Sequence, residues 1–522
     1  MKILVADEIS KSGVELLKSS GYEVDVRTGM KEDELVKAIP AYDVLLVRSA
    51  TKATRKVIEA SKLKVIGRAG IGVDNIDVGA ATERGILVMN APSGNVISTA
   101  ELTIGHIFAL ARRIPEADAS MRRGEWKRKE LKGVQVSGKT LGIVGLGRVG
   151  AEVARRAAAL GMTVIAYDPL VSPEVGVKLH VRLVALDRLL EDSDFVTVHT
   201  PLTPQTKDII GKSEFARMKR TAILVNCARG GVVNEEALYD ALKGEVIAAA
   251  AVDVFMVEPP KDSPLITLPN IVLTPHLGAT TKEAQEEVGS EIAEQVIAYL
   301  KDNLIRNAVN LPAKMDPVLV PYMPLAEKLG TLICQLGQCG SGKVEVASLG
   351  SLADKDVRII SACVVTGLLR PLSEEYNVNY INALAMAKAR GIEVVSSSSD
   401  DAGPYKNLIR VTMNTNGESL SVAGTLLTDK GPRLVEINGS KIDIQPDGNL
   451  LLIGHEDKPG MIGSVGTVLG EGDVNIASME VARSRPRGAA MMILHIDEEL
   501  RPEVLEKVRA IPCLKSATYI RL

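Results

Sequence analysis

The sequence predicts an α/β protein: two doubly wound α/β domains, an α+β domain, and a small C-terminal ferredoxin-like unit. Three observations carry that reading. Up to about residue 300, short and nearly continuous apolar runs alternate with amphipathic helical stretches, the pattern of strands buried on both faces of parallel sheets. A glycine-rich turn, Gly145-Leu-Gly147-Arg-Val-Gly150, sits between one such run and a helical stretch. Beyond residue 313 the pattern changes to mixed helices and alternating strands. It ends in strand, helix, strand, strand, helix, strand.

Length and composition bound the rest. A chain of 522 residues is too long for one ordinary core. With 62 Lys and Arg against 65 Asp and Glu, it lacks the basic excess of a nucleic-acid or membrane-surface binder. No uninterrupted apolar window is long enough to span a bilayer. Met1 to Ala6 is a short run ended by Asp7, which suits a first strand rather than a signal peptide. Cys227, Cys334, Cys339, Cys363 and Cys513 are scattered, and no zinc spacing accompanies them. Free buried thiols, no metal and a cytoplasmic location are therefore expected.

Strands are expected at Lys2–Ala6, Val44–Val47, Lys64–Ile66, Leu141–Val144, Thr163–Tyr167, Phe195–Val198, Ile223–Asn226, Ile247–Val252 and Ile271–Thr274. Long helical patterns at Ser98–Arg113 and Lys282–Lys301 bracket one complete nucleotide-binding unit. The first domain is thus interrupted by the second (97–283), giving 1–96 plus 284–309. Asn310 to Ala313 reads as a linker. The third domain is 313–448, with a hairpin signal at Asn438-Gly439, an exposed loop at Ser396–Ser399, and a turn at Asp447-Gly448. The ferredoxin-like unit is 449–522.

In the glycine turn, Gly145 makes the tight bend and Gly147 lets the backbone approach a pyrophosphate. Gly150 allows close helix–strand packing, so the unit is Rossmann-like. Asp168 ends the next strand, where a carboxylate accepts from an unmodified ribose and repels a 2′-phosphate. NAD is expected as cofactor. Gly70-Ile71-Gly72-Val73-Asp74 also follows a strand but lacks the third glycine, and reads as a substrate-side loop.

Three later strand ends carry residues suited to oxidising a 2-hydroxy acid: Arg229, Asp253 with Glu258, and His276. Histidine changes charge near neutral pH and can take the hydroxyl proton. Arginine pairs with a carboxylate in bidentate fashion. A carboxylate beside an imidazole orients the ring and raises its pKa. His276 is therefore the expected acid/base, Arg229 the clamp and Glu258 the partner, with Asp253 meeting the nicotinamide carboxamide. His106 reads as a core residue and His199 as a shaper of a cofactor loop.

At these residues the chain resembles the D-isomer-specific 2-hydroxy-acid dehydrogenase family over roughly residues 1 to 310. The markers are the glycine turn, Asn226-Cys-Ala-Arg-Gly-Gly-Val-Val-Asn-Glu235, Asp253-Val-Phe-Met-Val-Glu258-Pro, and His276-Leu-Gly-Ala279. The resemblance implies Arg148, Val149, Thr200, Cys227, Ala228, Gly278 and Ala279 as further cofactor contacts. It is nearest to the long-form branch acting on 3-phospho-D-glycerate at the entry to serine synthesis. Arg48, Arg68, Gly70 and Asn95 then become substrate residues; each charged hydrogen bond is worth roughly 1.5–3 kcal/mol. Arg128 and Lys129, after Trp126, resemble a basic segment reaching a neighbouring subunit, implying a homodimer or homotetramer. Residues 313–448 resemble an intervening domain with Arg433 and Lys441 as candidate anion ligands. Residues 449–522 resemble an ACT domain, with His455, Asp457, Gly460 and Asn475 as candidate ligands of L-serine. Two other readings are a dehydrogenase of an unphosphorylated acid such as D-lactate or glyoxylate, and a non-catalytic NAD-sensing protein.

Overall fold

The computed structural model describes residues 1–522 except 338–341, 373–377, 416–417 and 484. Its first sheet comprises β1 (Lys2–Val5), β2 (Glu23–Val26), β3 (Val44–Val47), β4 (Val65–Arg68) and β5 (Leu87–Asn90). All are parallel, in the order β2-β1-β3-β4-β5. Val44 to Val47 are wholly buried, as an apolar run covered on both faces must be. The order reverses between β1 and β3, and a crevice opens beyond their C-terminal ends. Arg48 emerges there.

The second sheet is also parallel: β6 (Thr140–Val144), β7 (Thr163–Tyr167), β8 (Arg182–Leu183), β9 (Phe195–Val198), β10 (Ile223–Asn226), β11 (Ala249–Val252) and β12 (Ile271–Leu273). Its order is β12-β11-β10-β9-β6-β7-β8, reversing between β6 and β9. The chain then returns through the helix Lys282–Asp302, capped when the Thr281 hydroxyl accepts from the Ala284 N–H at 3.1 Å. Val288, Ile292, Ala293 and Val296 of this helix share a core with Ile3 and Val5 of the first sheet. It crosses the helix Lys11–Ser19 so closely that a Cβ on Gly13 would stand 2.5 Å from the Gly289 carbonyl oxygen.

The third sheet holds β13 (Gly342–Gly350), β14 (Ile392–Ser399), β15 (Asn407–Thr415), β16 (Glu418–Leu427), β17 (Gly431–Ile437) and β18 (Ser440–Ile444). The helices Met323–Leu336 and Arg358–Leu369 contribute to the same core. Asn438 and Gly439 join β17 to β18 with φ of 48° and 77°, as a two-residue hairpin of the primed type requires. The fourth sheet, β19 (Asn449–Glu456), β20 (Ile476–Arg483), β21 (Ala489–Ile496) and β22 (Leu514–Arg521), is antiparallel in the order β20-β21-β19-β22. With the helices Met461–Glu471 and Pro502–Arg509 it forms the expected ferredoxin-like unit. Leu450, Leu452, Ile493 and Ile520 join the core of the third sheet, so these two domains pack as one body.

The structure departs from expectation in several places. Ser396–Ser399 is not a loop but the end of β14, an edge strand paired in parallel with β13. An edge strand is hydrogen-bonded on one side only, so polar side chains are tolerated there. The strands β2 and β5 were not expected; β2 carries two acids in four residues and is partly exposed, so it has no apolar run to betray it. Asn310 is tied down rather than free: its side chain accepts from the Val88 N–H at 2.9 Å and donates to the Ile86 carbonyl at 2.8 Å. Cys227, Cys334 and Cys363 are buried, but Cys513 is exposed, and Cys339 lies outside the described residues. Among the described residues no helix is long and apolar enough to cross a membrane.

Candidate active site

The glycine turn leaves β6 directly. Gly145 has φ of 96°, and a Cβ there would meet the His199 carbonyl at 2.8 Å. A Cβ on Gly150 would stand 2.2 Å from the Gly145 carbonyl, so side chains are excluded at both positions. Gly147 caps the helix Arg148–Ala159 and faces open space where its Cβ would be. The helix N-terminus is thus bare toward the crevice, as a pyrophosphate needs. At the end of β7, Asp168 accepts from the Leu146 N–H at 2.8 Å and the Leu170 N–H at 2.9 Å, which aims its carboxylate beside the turn. The Thr200 hydroxyl, just past β9, is buried and without a protein partner among the described residues, and so is Asn95 Oδ1. Orphaned polar atoms lining a crevice fit a ligand that would satisfy them. The donor set therefore suits a bound dinucleotide.

Arg148 donates to the Ser93 hydroxyl at 3.5 Å across the cleft. Val149 packs into the core under the sheet. Cys227 and Ala228, past β10, are buried, and burial pushes the Cys227 thiol up to about 12. His199 is enclosed beside the Thr197 hydroxyl at 3.0 Å, and burial brings it down to about 4, so it stays neutral.

His276 and Glu258 meet on the loops after β12 and β11. His276 Nδ1 donates to Glu258 Oε2 at 2.8 Å, and the other carboxylate oxygen accepts from the Phe255 N–H at 3.1 Å. Burial works against the Glu258 charge, but the His276 and Phe255 hydrogen bonds and nearby Arg229 hold its pKa below the ordinary carboxylate value. With Nδ1 protonated toward the carboxylate, Nε2 of the neutral ring carries a lone pair.

Asp253 follows β11 directly. It is fully buried, with Oδ1 accepting from the Leu277 N–H at 2.7 Å and the Thr274 hydroxyl, and Oδ2 from the Gly278 N–H at 3.0 Å. Its carboxylate braces the loop of His276, Gly278 and Ala279. Thr99 helps by donating to the Gly278 carbonyl at 3.0 Å. His106 is buried, as expected of a core residue, and touches the Thr274 hydroxyl at 3.1 Å.

Arg229, Arg68 and Arg48 converge from β10, β4 and β3. Arg229 donates through Nη1 to the Ala228 carbonyl at 2.7 Å and pairs through Nε with Asp74 at 3.3 Å. Burial, then the neighbouring charge of Arg229, pulls the Arg68 guanidinium down to about 10. Asn75 accepts from Arg68 Nε at 3.3 Å and donates to the Arg48 carbonyl at 2.9 Å. Asp7, at the end of β1, accepts from the Arg48 N–H at 2.6 Å. Gly70 has φ of 151° and lies against the Arg68 guanidinium. A cavity of about 260 Å³ beside Arg48 is lined by Lys11, Lys282 and Gln285 with Glu8 and Glu286.

Arg128 and Lys129 lie exposed past the helix Ile114–Arg122, beside Trp126, and make no ion pair among the described residues. In the fourth domain His455 is buried, with Nδ1 on the Glu456 carbonyl at 2.8 Å and Nε2 unpartnered among the described residues. Asp457 is held below the usual carboxylate range by the Arg487 N–H and by Arg483. Gly460 caps the helix Met461–Glu471, and Asn475 donates to Asp497 at 2.6 Å. Arg433 is engaged by Asp443 at 2.6 Å, while Lys441 lies exposed on β18. Asp7, Asn75 and Thr99 also line or brace this region and were not singled out by the sequence pattern, which placed Asp74 only as part of a substrate-side loop. Asp7 and Asp74 do close or follow a strand, the one signal that could have singled them out.

A dinucleotide turn, an imidazole–carboxylate pair and converging guanidiniums at one crevice define an oxidoreductase of small anionic hydroxy acids. Comparison with known proteins agrees. Residues 104–278 match the NAD binding domain of D-isomer specific 2-hydroxyacid dehydrogenases, 318–438 the D-3-phosphoglycerate dehydrogenase intervening domain, and 449–513 the ACT domain. A D-3-phosphoglycerate dehydrogenase of Methanocaldococcus jannaschii is 47% identical, with all of both chains covered. One of Archaeoglobus fulgidus is 45% identical, again over all of both. A formate dehydrogenase of Staphylococcus aureus in complex with NAD is similar at TM-score 0.54 and 31% identity, covering 59% of this chain and 99% of that one. The chain belongs to the D-isomer-specific 2-hydroxyacid dehydrogenase family, in its long-form D-3-phosphoglycerate dehydrogenase branch.

Proposed function

We propose that the protein oxidises 3-phospho-D-glycerate to 3-phosphohydroxypyruvate with NAD, the first step of L-serine biosynthesis. The observation that carries this reading is the 2.8 Å His276–Glu258 pair beside the Arg229, Arg68 and Arg48 guanidiniums. The full-length likeness to relatives bearing that activity in their names supports it. Bound NAD supplies the hydride acceptor.

The residues of the chain do the rest. Arg229 clamps the substrate carboxylate, and Arg48 and Arg68, with Gly70 and Asn95, hold its phosphate end. As the hydride leaves C2, His276 Nε2 takes the hydroxyl proton. Glu258 steadies the imidazolium that results, which lowers the barrier because the positive charge develops beside a fixed carboxylate. Gly145, Gly147, Arg148, Val149 and Gly150 bind the pyrophosphate; Thr200, Cys227, Ala228, Asp253, Gly278 and Ala279 shape the nicotinamide side. Asp168 binds the ribose hydroxyls and selects NAD over NADP.

Residues 1–96 with 284–309 act as the substrate domain, 97–283 as the NAD domain, 313–448 as the intervening domain and 449–522 as the ACT domain. In a homodimer or homotetramer, Arg128 and Lys129 reach the neighbouring cleft. L-Serine binds near His455, Asp457, Gly460 and Asn475 and slows turnover. A steady-state panel of 3-phosphoglycerate, D-lactate and glycolate, with and without L-serine, tests these assignments. Rapid NADH formation on the phosphorylated acid alone, depressed by serine, supports them; preference for an unphosphorylated acid, or no turnover, overturns them.

A further inference from the structure

The loop after β4 presents Asp74 to the guanidinium of Arg229 on the other α/β domain, Nε to Oδ2 at 3.3 Å. Among the described residues no other ion pair joins the two domains. Gly72 permits the approach, since a Cβ there would stand 2.3 Å from Arg229 Nη2 and 2.7 Å from Asp74 Oδ2. A guanidinium offers a carboxylate two edges, Nε with Nη2 or Nη1 with Nη2. Asp74 approaches the first through Nε, and the Ala228 carbonyl takes one of the two N–H groups of Nη1 at 2.7 Å. The Ala228 carbonyl is fixed next to Arg229 in the chain, whereas the Asp74 side chain is 69% exposed on a loop. A second carboxylate that takes the Nε side of Arg229 must therefore replace Asp74.

From this geometry we infer that Asp74 is an internal stand-in for the substrate carboxylate. It stands on the Nε side of Arg229 across the open cleft and gives way when an α-carboxylate arrives. The inference rests on the assignment of Arg229 as the carboxylate clamp. The exchange keeps Arg229 neutralised and oriented between substrates. It also selects ligands whose carboxylate outcompetes a tethered one, so monovalent anions without two coplanar oxygens are poor competitors. Asp74 is thus a positioning and specificity residue, not a catalytic one.

Equilibrium titration of the full-length protein with oxalate, and separately with inorganic phosphate, tests the exchange. Asp74→Asn should bind oxalate about two- to fivefold more tightly than the wild type, the range an exposed ion pair gives. Phosphate affinity should change by much less. Asp74→Glu, which keeps the charge, should return the oxalate constant toward the wild-type value. Equal tightening for both anions would mean that only net charge had changed, and would overturn the exchange. Weaker or unchanged oxalate binding by Asp74→Asn, or no oxalate binding by either protein, would overturn it as well. Failure of phosphate alone to bind would count against the phosphorylated substrate while leaving the oxalate comparison decisive.

Discussion

His276 Nδ1 and Glu258 Oε2 lie 2.8 Å apart, on loops that leave neighbouring strands of one parallel sheet. The pairing leaves Nε2 as the ring's free nitrogen, and the charge that steadies the protonated ring comes from a residue 18 positions earlier in the chain. Replacing Glu258 with Gln keeps the size and one possible acceptor but removes the charge. We expect kcat to fall about 10- to 100-fold, the equivalent of one charged hydrogen bond, with KM changing little. Steady-state kinetics check the split.

The same carboxylate carries a pH signature. Its pKa in the folded chain is depressed by His276, the Phe255 N–H and Arg229 against the pull of burial. Such an acid stabilises the fold fully above its ordinary value, and that contribution is lost as pH falls through the lower folded value. The melting temperature of the wild type minus that of Glu258→Gln should shrink as pH falls from about pH 5 to below about pH 4. Paired thermal melts across that range read the effect.

Arg68 is half-buried near two other guanidiniums, and burial with the Arg229 charge disfavours its protonated form. Asp74 and Asp7 favour its charge, but by less than burial and Arg229 oppose it, so an arriving anion adds the larger support. Arg68→Gln should therefore leave the melting temperature without ligand unchanged or higher, yet abolish the upward shift on adding 3-phosphoglycerate. KM for that substrate should rise about 10- to 100-fold. Thermal shift and initial rates together separate a binding role from a structural one.

Asp168 accepts two backbone N–H groups beside the glycine turn. Its negative charge should repel a 2′-phosphate. Asp168→Ser should lower kcat/KM for NAD by about tenfold and raise that for NADP, a change of roughly 1.4 kcal/mol in each direction. Rates with both cofactors at a fixed substrate level show the crossover.

Most strands of the two parallel sheets and the strand-end positions of His276 and Glu258 were legible because their signals are local. The strand from Thr140, the turn at Gly145 and the acid at Asp168 lie in one stretch of chain. Arg229 and Glu258 each follow a buried apolar run, and His276 a half-buried one. What lies outside that reach depends on how separate segments face each other. Asp74 meets Arg229 only because two sheets bring their C-terminal edges together, and no spacing along the chain encodes that. Asp253 resembles a cleft residue by position, but its carboxylate turns inward to three donors of the next loop. The edge strand ending at Ser399 escaped for the opposite reason: a one-sided ladder tolerates side chains that look like loop.

Proton removal by His276 is tested most directly by comparing His276→Ala with the wild type in two measurements on the same preparation, NADH formation from 3-phosphoglycerate and equilibrium binding of NAD. We expect turnover to fall by roughly 10²–10⁴-fold while the NAD dissociation constant stays within about twofold. Turnover that survives the substitution, or an equal loss of both quantities, would contradict the role of the imidazole as the proton acceptor.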